Sequence, residues 1–187
     1  MSKVVTGRMT HRHEGELVVF HIGMQINRWW RPDLWLPAFV AMPRTLRELS
    51  TEPDSGLLGY QLLLGSGGPY VVQFWSSVDK LYAYASNPDQ QHRPAWTAFN
   101  RAARKAPGAV GVWHETFLVD TAESVYVSTK RMGLATATEH VPVPRRHDRA
   151  QARFTDGRTA AATAAPAHEP TACGRARSAP GRASRCG

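Results

Sequence analysis

Cysteine is almost absent from the 187 residues: Cys173 and Cys186 stand near the C-terminus and none lies further in. No disulfide framework or thiolate metal site can hold a core together, and a reducing, cytoplasmic setting is expected. Long apolar runs are missing too. The most apolar helical stretch, Leu34 to Met42, is far short of the roughly 20 residues a bilayer span needs, and Arg31 and Asp33 stand just before it. Residues 1–15 carry His11 and His13 and no apolar leader, so they read as a flexible, polar N-terminus. There is no Gly-x-Ser-x-Gly elbow. The Gly65 to Gly68 run precedes a strand and not a helix, so it lacks the helix N-terminus that a phosphate loop or dinucleotide fingerprint requires.

Acidic residues are scarce, 15 against 23 Lys and Arg, for a net charge of +8. A uniformly basic surface would point to nucleic acid. The excess is local instead: from Val141 onward nine Arg face only Asp148, Asp156 and Glu169, which accounts for six of the eight charges. That segment is rich in Ala, Pro, Gly and Thr and has no hydrophobic period. It reads as a solvated tail, and nucleic acid is not the expected partner. The expected organisation is a flexible N-terminus over residues 1–15, one α+β domain over 16–140, and a disordered Arg/Ala/Pro-rich tail over 141–187.

Within the domain the periodicity alternates between two and 3.6. Glu16 to Asn27 places Val18, Phe20, Ile22, Met24 and Ile26 on one face of a strand. Asp33 to Leu49 has helical spacing, with Pro37 tolerated near the start and Pro43 expected to bend or split the helix. Leu57 to Leu64 and Pro69 to Trp75 form a hairpin across the glycine run. A short helix at Ser77 to Ala85 and a longer one from Gln90 to Lys105 precede a last strand, Ala109 to Val119. Ser124 to Val127 adds a short edge strand. The order βαββαβ is that of a ferredoxin-like domain.

Such a sheet carries helices on one face only, yet its strands are apolar on both. In the last strand Val110, Val112, His114, Thr116 and Leu118 oppose Trp113, Glu115, Phe117 and Val119. A second large apolar face calls for a partner, and a second copy of the chain, a homodimer, is the simplest one.

Chemistry-bearing candidates are few. Aromatic residues cluster at Trp29, Trp30 and Trp35, of which Trp30 is a candidate ligand contact. His92, Trp96 and Asn100 are four residues apart and share one helix face. They serve either as core packing with a helix-start cap or as the polar and aromatic contacts of a pocket between helix and sheet. His114 and Glu115 are adjacent on a strand and point to opposite faces, so they cannot form a side-by-side dyad. His114, expected inside the core, is the candidate for proton handling; a buried Glu115 is a candidate acid. Both residues can equally be satisfied polar groups. Trp113 is a further candidate ligand contact. No dedicated metal site is expected.

Six blocks in order, Gly23-Met24-Gln25-Ile26-Asn27-Arg28-Trp29-Trp30, Gly56-Leu57-Leu58-Gly59, Gln73-Phe74-Trp75, His92-Arg93-Pro94-Ala95-Trp96, Phe99-Asn100-Arg101 and Gly111-Val112-Trp113-His114-Glu115-Thr116, resemble a monooxygenase family named for its likeness to an enzyme of fumagillin biosynthesis. The resemblance spans about Leu17 to Ala137. It implies a dimeric α+β barrel, akin to antibiotic-biosynthesis and haem-degrading monooxygenases and more distantly to haem aldoxime dehydratases. Antibiotic-type relatives oxidise electron-rich, acidic polycyclic substrates without metal or flavin, while others bind haem through a histidine. For this chain the resemblance implies oxygenation of a bulky apolar, polyketide- or terpenoid-like metabolite, with no cofactor or with haem. The alternative it leaves open is a non-catalytic dimer that binds haem, with His114 as ligand, or a small molecule.

Overall fold

The structure is a computed structural model and describes residues 3–87 and 92–155. Seven strands and three long helices follow in the order β1 (Val5–Arg12), β2 (Val18–Ile26), α1 (Pro32–Leu49), β3 (Leu57–Gly65), β4 (Gly68–Trp75), α2 (Val78–Ser86), α3 (His92–Lys105), β5 (Val110–Leu118), β6 (Tyr126–Thr129) and β7 (Glu139–Pro142). The larger sheet has the antiparallel order β3-β4-β2-β5. With β2-α1-β3-β4-α2/α3-β5 along the chain, this is the ferredoxin-like arrangement that the alternating periods predict.

Strand β2 is central and paired along both edges. Val18 faces Trp75 on β4 and Leu118 on β5, and Ile22 faces Val71 and His114. The period of two therefore sends Val18, Phe20, Ile22, Met24 and Ile26 toward the helices. Two packed clusters form on that side, one at each end of the sheet. Met24, Ile26, Leu34, Ala106, Ala109 and Val110 make the first. Val18, Leu49, Trp75 and Leu81 make the second.

Helix α1 runs unbroken through both Pro37 and Pro43. Of the bend or split expected at Pro43, the split does not occur. An interior proline costs about 3 kcal/mol, but Leu34, Leu46 and Leu49 are buried on this helix. Each contributes about 1.5–3 kcal/mol, together of the same order as the cost of both prolines. The β3–β4 hairpin closes through Ser66 and Gly67, and Gly68 sits at φ 141°, where a Cβ would lie 2.5 Å from the Met24 carbonyl oxygen. Glycine is required there.

The remaining strands form a second, three-stranded sheet, β6-β1-β7. This corrects two sequence expectations. Residues 5–12 of the expected flexible N-terminus are a strand, and the expected tail is ordered from its first residues: Thr10 pairs with Val141 and His11 with His140. The physical reason is polar satisfaction. Arg12 donates from Nε to Glu139 at 2.8 Å, and Arg8 pairs with Asp148. Arg153 is buried, donating to the Glu123 carboxylate at 2.7 Å and from Nη1 to the carbonyls of His147 and Asp148, both at 2.8 Å. A guanidinium so bonded is an anchor rather than a solvated charge. The expected edge strand near Ser124 is β6, and it joins this second sheet. The expected tail beyond residue 155 lies outside the described residues.

His11 is held in the same sheet. Its backbone N–H donates to Ser124 Oγ at 3.2 Å, and its Nδ1 lies 2.8 Å from that oxygen. Burial, with a smaller contribution from neighbouring His13, holds its pKa below the usual histidine range, against an opposing pull from Glu123. The ring shares one hydrogen bond with the Ser124 hydroxyl through Nδ1.

Two outcomes follow from these bonds. Replacing Arg153 with Ala leaves Glu123 without its partner and two carbonyls without donors, and should cost about 2–3 kcal/mol in chemical denaturation; a change below about 0.5 kcal/mol would show the anchor to be incidental. Because the folded-state pKa of His11 is depressed, the unfolded chain binds more protons, and stability should fall as pH drops below the unfolded value near 6.5. His11→Asn retains an acceptor near the Nδ1 position and removes the titration. Melts at pH 7.5 and 5.5 should show a smaller acid shift in that variant than in the parent.

Candidate functional site

Between the two packed clusters the helices stand away from the sheet. The gap is a cavity of about 740 Å³, floored by Phe20, Ile22 and Met24 of β2, Val71 and Gln73 of β4, and Val112, His114 and Thr116 of β5. Its roof is Ala38, Phe39, Met42 and Leu46 of α1, Leu81, Tyr82 and Tyr84 of α2, and Phe99 of α3. A sealed void of this size, at about 24 cal/mol per Å³, would cost more than the 5–15 kcal/mol that holds a typical domain together. The space therefore communicates with solvent. Its exposed lining residues mark the rim: Leu62 and Leu64 of β3 with Phe39 and Tyr82 on one side, and His114 and Thr116 on the edge strand β5 on the other.

The floor follows from register. Across β4, β2 and β5, Gln73, Phe20 and Thr116 make one row and Val71, Ile22 and His114 the next. Gln73 is 5% exposed, and its Oε1 accepts the Trp75 indole N–H at 3.0 Å. The Phe20 ring lies 5.7 Å from that of His114. Thr45, also in the lining, turns its hydroxyl back onto the Ala41 carbonyl of its own helix at 3.2 Å.

The sequence candidates divide sharply. His114 does line the cavity, but it is exposed and not a core histidine, because it stands on the edge strand β5, whose residues 113–118 are all exposed. Glu115 is on the opposite face of β5, exposed, with a carboxylate oxygen 3.9 Å from His21 Nδ1. It is neither buried nor in the cavity. Trp113 also faces away: its indole fills the space over Gly23, where a Cβ would lie 2.4 Å from the ring, and its ring stands 6.0 Å from that of Tyr70. Trp30 is 73% exposed in the turn before α1 and is not among the lining residues. Asn100 is half-buried on α3 and not in the lining, which takes Phe99 from that helix. The side chains of His92 and Trp96 lie outside the described residues.

Gln73 and the tyrosines of α2 were not among the candidates. The signal for Gln73 was present: in Val71-Val72-Gln73-Phe74-Trp75 it is the polar residue at an inward-facing position between Val71 and Trp75. Among the described residues no three metal-ligating side chains converge, and no helix is long and apolar enough to cross a membrane.

Comparison with known proteins bears on this site. Monooxygenase af470 of Aspergillus fumigatus is 31% identical over 152 residues, covering 68% of this chain and 53% of that protein. The chain thus spans about half the length of this curated relative. Among solved structures, SnoaB, a cofactor-independent oxygenase from Streptomyces nogalater, shares 18% identity over 59% of this chain and 96% of its own, with a TM-score of 0.40. An aldoxime dehydratase shares 18% over 76% of this chain and 45% of its own, with a TM-score of 0.49. The strand order, not these distant likenesses, establishes the fold. Residues 17–134, more than half of the chain and all of the larger sheet, match the family model described as Monooxygenase af470-like, and the chain belongs to that family.

Proposed function

We propose that the protein is a monooxygenase that oxidises a bulky apolar metabolite with molecular oxygen inside the cavity between sheet and helices. The observation that carries this reading is the coincidence, in a chain of a monooxygenase family, of a cavity of about 740 Å³ walled by aliphatic and aromatic side chains with a few polar groups on its floor. Burial of an apolar ligand supplies affinity in such a space, and the polar groups supply orientation. A polyketide- or terpenoid-like skeleton fits the walls.

Haem is the cofactor against which the lining is best tested. His114 is an available ring nitrogen, but among the described residues the lining contains no Lys or Arg to pair with two propionates. The residues fit an apolar ligand better than a haem. Without an external reductant the stoichiometry closes for an acidic methylene. Its two C–H bonds and the O–O bond break, one oxygen atom becomes the carbonyl of a ketone, and the other leaves with both hydrogens as water. The substrate supplies all four electrons that reduce the oxygen molecule. In this reading His114 takes the methylene proton, since its imidazole stands at the cavity rim and a ring nitrogen can act as a general base. Glu115, on the other face, has no part in it.

The outer face of the large sheet completes the proposal. Trp113 and Phe117 remain exposed there beside His21, and the rings of His21 and Phe117 meet edge-on at 5.5 Å. A second copy laid on this face would cover them and form a dimeric barrel.

Anthrone, a tricyclic with an acidic methylene, is a suitable first probe. Oxygen uptake with formation of anthraquinone should be catalysed by the parent, reduced at least tenfold by His114→Ala, and unchanged by Glu115→Ala. Equal loss in both variants would place the chemistry elsewhere, and a Soret band in the purified protein would favour the haem alternative. For the partner face, Phe117→Asp should convert a dimer to a folded monomer in sedimentation velocity, whereas Val112→Asp, which buries a charge beside the packed cluster of Met24 and Val110, should lower the melting temperature. A parent that sediments as a monomer would refute the two-copy arrangement.

A further inference from the structure

The cavity floor contains an amide donor that no acceptor among the described residues meets. Gln73 stands at the middle of β4, on the cavity side, and only 5% of it is exposed. A side-chain amide has one acceptor and one NH2 group, and which end is which is settled here by its neighbour. The Trp75 indole nitrogen can only donate, so the Gln73 atom 3.0 Å from it must be the carbonyl oxygen. The NH2 group is then the free end, and among the described residues no acceptor meets it. The group opens onto the cavity, where the residue's neighbours on the floor are Val71 and Phe20, and a donor in so apolar a setting finds its acceptor in what fills the space. The amide cannot rotate to hide its N–H groups without breaking the bond from Trp75, itself fully buried.

Resting on the reading that the cavity is the ligand site, we infer that the Gln73 NH2 group is the specificity determinant of that site. It selects apolar ligands that carry a hydrogen-bond-accepting oxygen, a ketone, enolate or phenolate, and fixes which end enters first. A ligand whose oxygen meets this donor pairs it, while a pure hydrocarbon of the same shape leaves it without an acceptor. His114 lies across β2 from Gln73, two strand spacings over and one row of side chains along, about 12 Å away. A planar ligand with its oxygen on Gln73 therefore reaches His114 with its far end, which makes the amide a positioning group for any chemistry at the histidine.

The test uses fluorene and 9-fluorenone, which share a ring skeleton and differ by one carbonyl. Both are titrated into the full chain by tryptophan fluorescence. The variant Gln73→Glu keeps an oxygen for Trp75 and replaces only the donor. At pH 8 it should weaken 9-fluorenone by about three- to tenfold, the ratio one net hydrogen bond gives, and leave fluorene within about twofold. Lowering the pH should restore the ketone as the carboxyl takes up a proton and again becomes a donor. A purely structural Gln73 would move both probes together and show no such pH dependence. Should the variant fail to fold, the parent decides: the Gln73 side-chain amide resonances should shift with 9-fluorenone and stay in place with fluorene. If both probes bind but the variant treats them alike, or the amide resonances ignore the ketone, the assignment of Gln73 is overturned while the cavity remains a ligand site. If neither probe binds the parent, the ligand-site reading fails and this inference falls with it.

Discussion

The double pairing of β2 is the constraint on which the rest of the molecule depends. It pairs with β4 on one side and β5 on the other, in continuous register from Val18 to Gly23 against β4 and from Val18 to Ile26 against β5. A slip of one residue in either ladder would exchange the two faces of a strand. His114 would leave the cavity and Glu115 would enter it. Likewise Gln73 would turn outward and Phe74 inward. Closely packed ends keep the register: Val18, Trp75 and Leu81 at one, Met24, Ile26 and Val110 at the other. Between them Phe20 and Ile22 face open space. Stability thus resides at the two ends of the sheet, and the middle is left available for a ligand.

Much of the larger sheet was legible because burial there follows a simple period. The alternation from Val18 to Ile26, the glycine run before Pro69 and the helix start at Ser77, whose hydroxyl accepts from the Lys80 backbone N–H at 3.1 Å in the structure, are all local signals. The second sheet was not legible for the opposite reason. β1 and β7 contain Thr10, His11, Arg12, Glu139 and His140, and their order comes from cross-strand and ionic partners more than a hundred residues apart. No window of sequence contains both halves of such a bond. Arg153 looked like one arginine among nine until Glu123 and two carbonyls were found around it.

The site was half legible. Period two on β5 correctly separates His114 from Glu115, but it cannot say which face a helix covers or where coverage stops, so His114 was expected in the core and stands at a rim. Tryptophan misled in a consistent way. Trp30 and Trp113 attract attention as large aromatic residues, yet one projects from a turn and the other packs over Gly23 on the far face. Trp75 is the tryptophan that matters to the floor, and it acts by fixing the amide of Gln73 and not by touching open space. Family membership and fold agree with a monooxygenase, and the arrangement of floor and walls supplies what a family name alone does not: a place where a flat apolar molecule can lie between a donor and a histidine.

Photolabelling with benzophenone, which inserts into C–H bonds where it is bound, tests the cavity as the ligand site most directly. After irradiation and peptide mass spectrometry, saturable labels are predicted on cavity-lining side chains such as Met24, Met42, Leu46 and Leu81. Labels confined to Trp113 and Phe117 on the outer face, or labelling that does not saturate, would contradict the account.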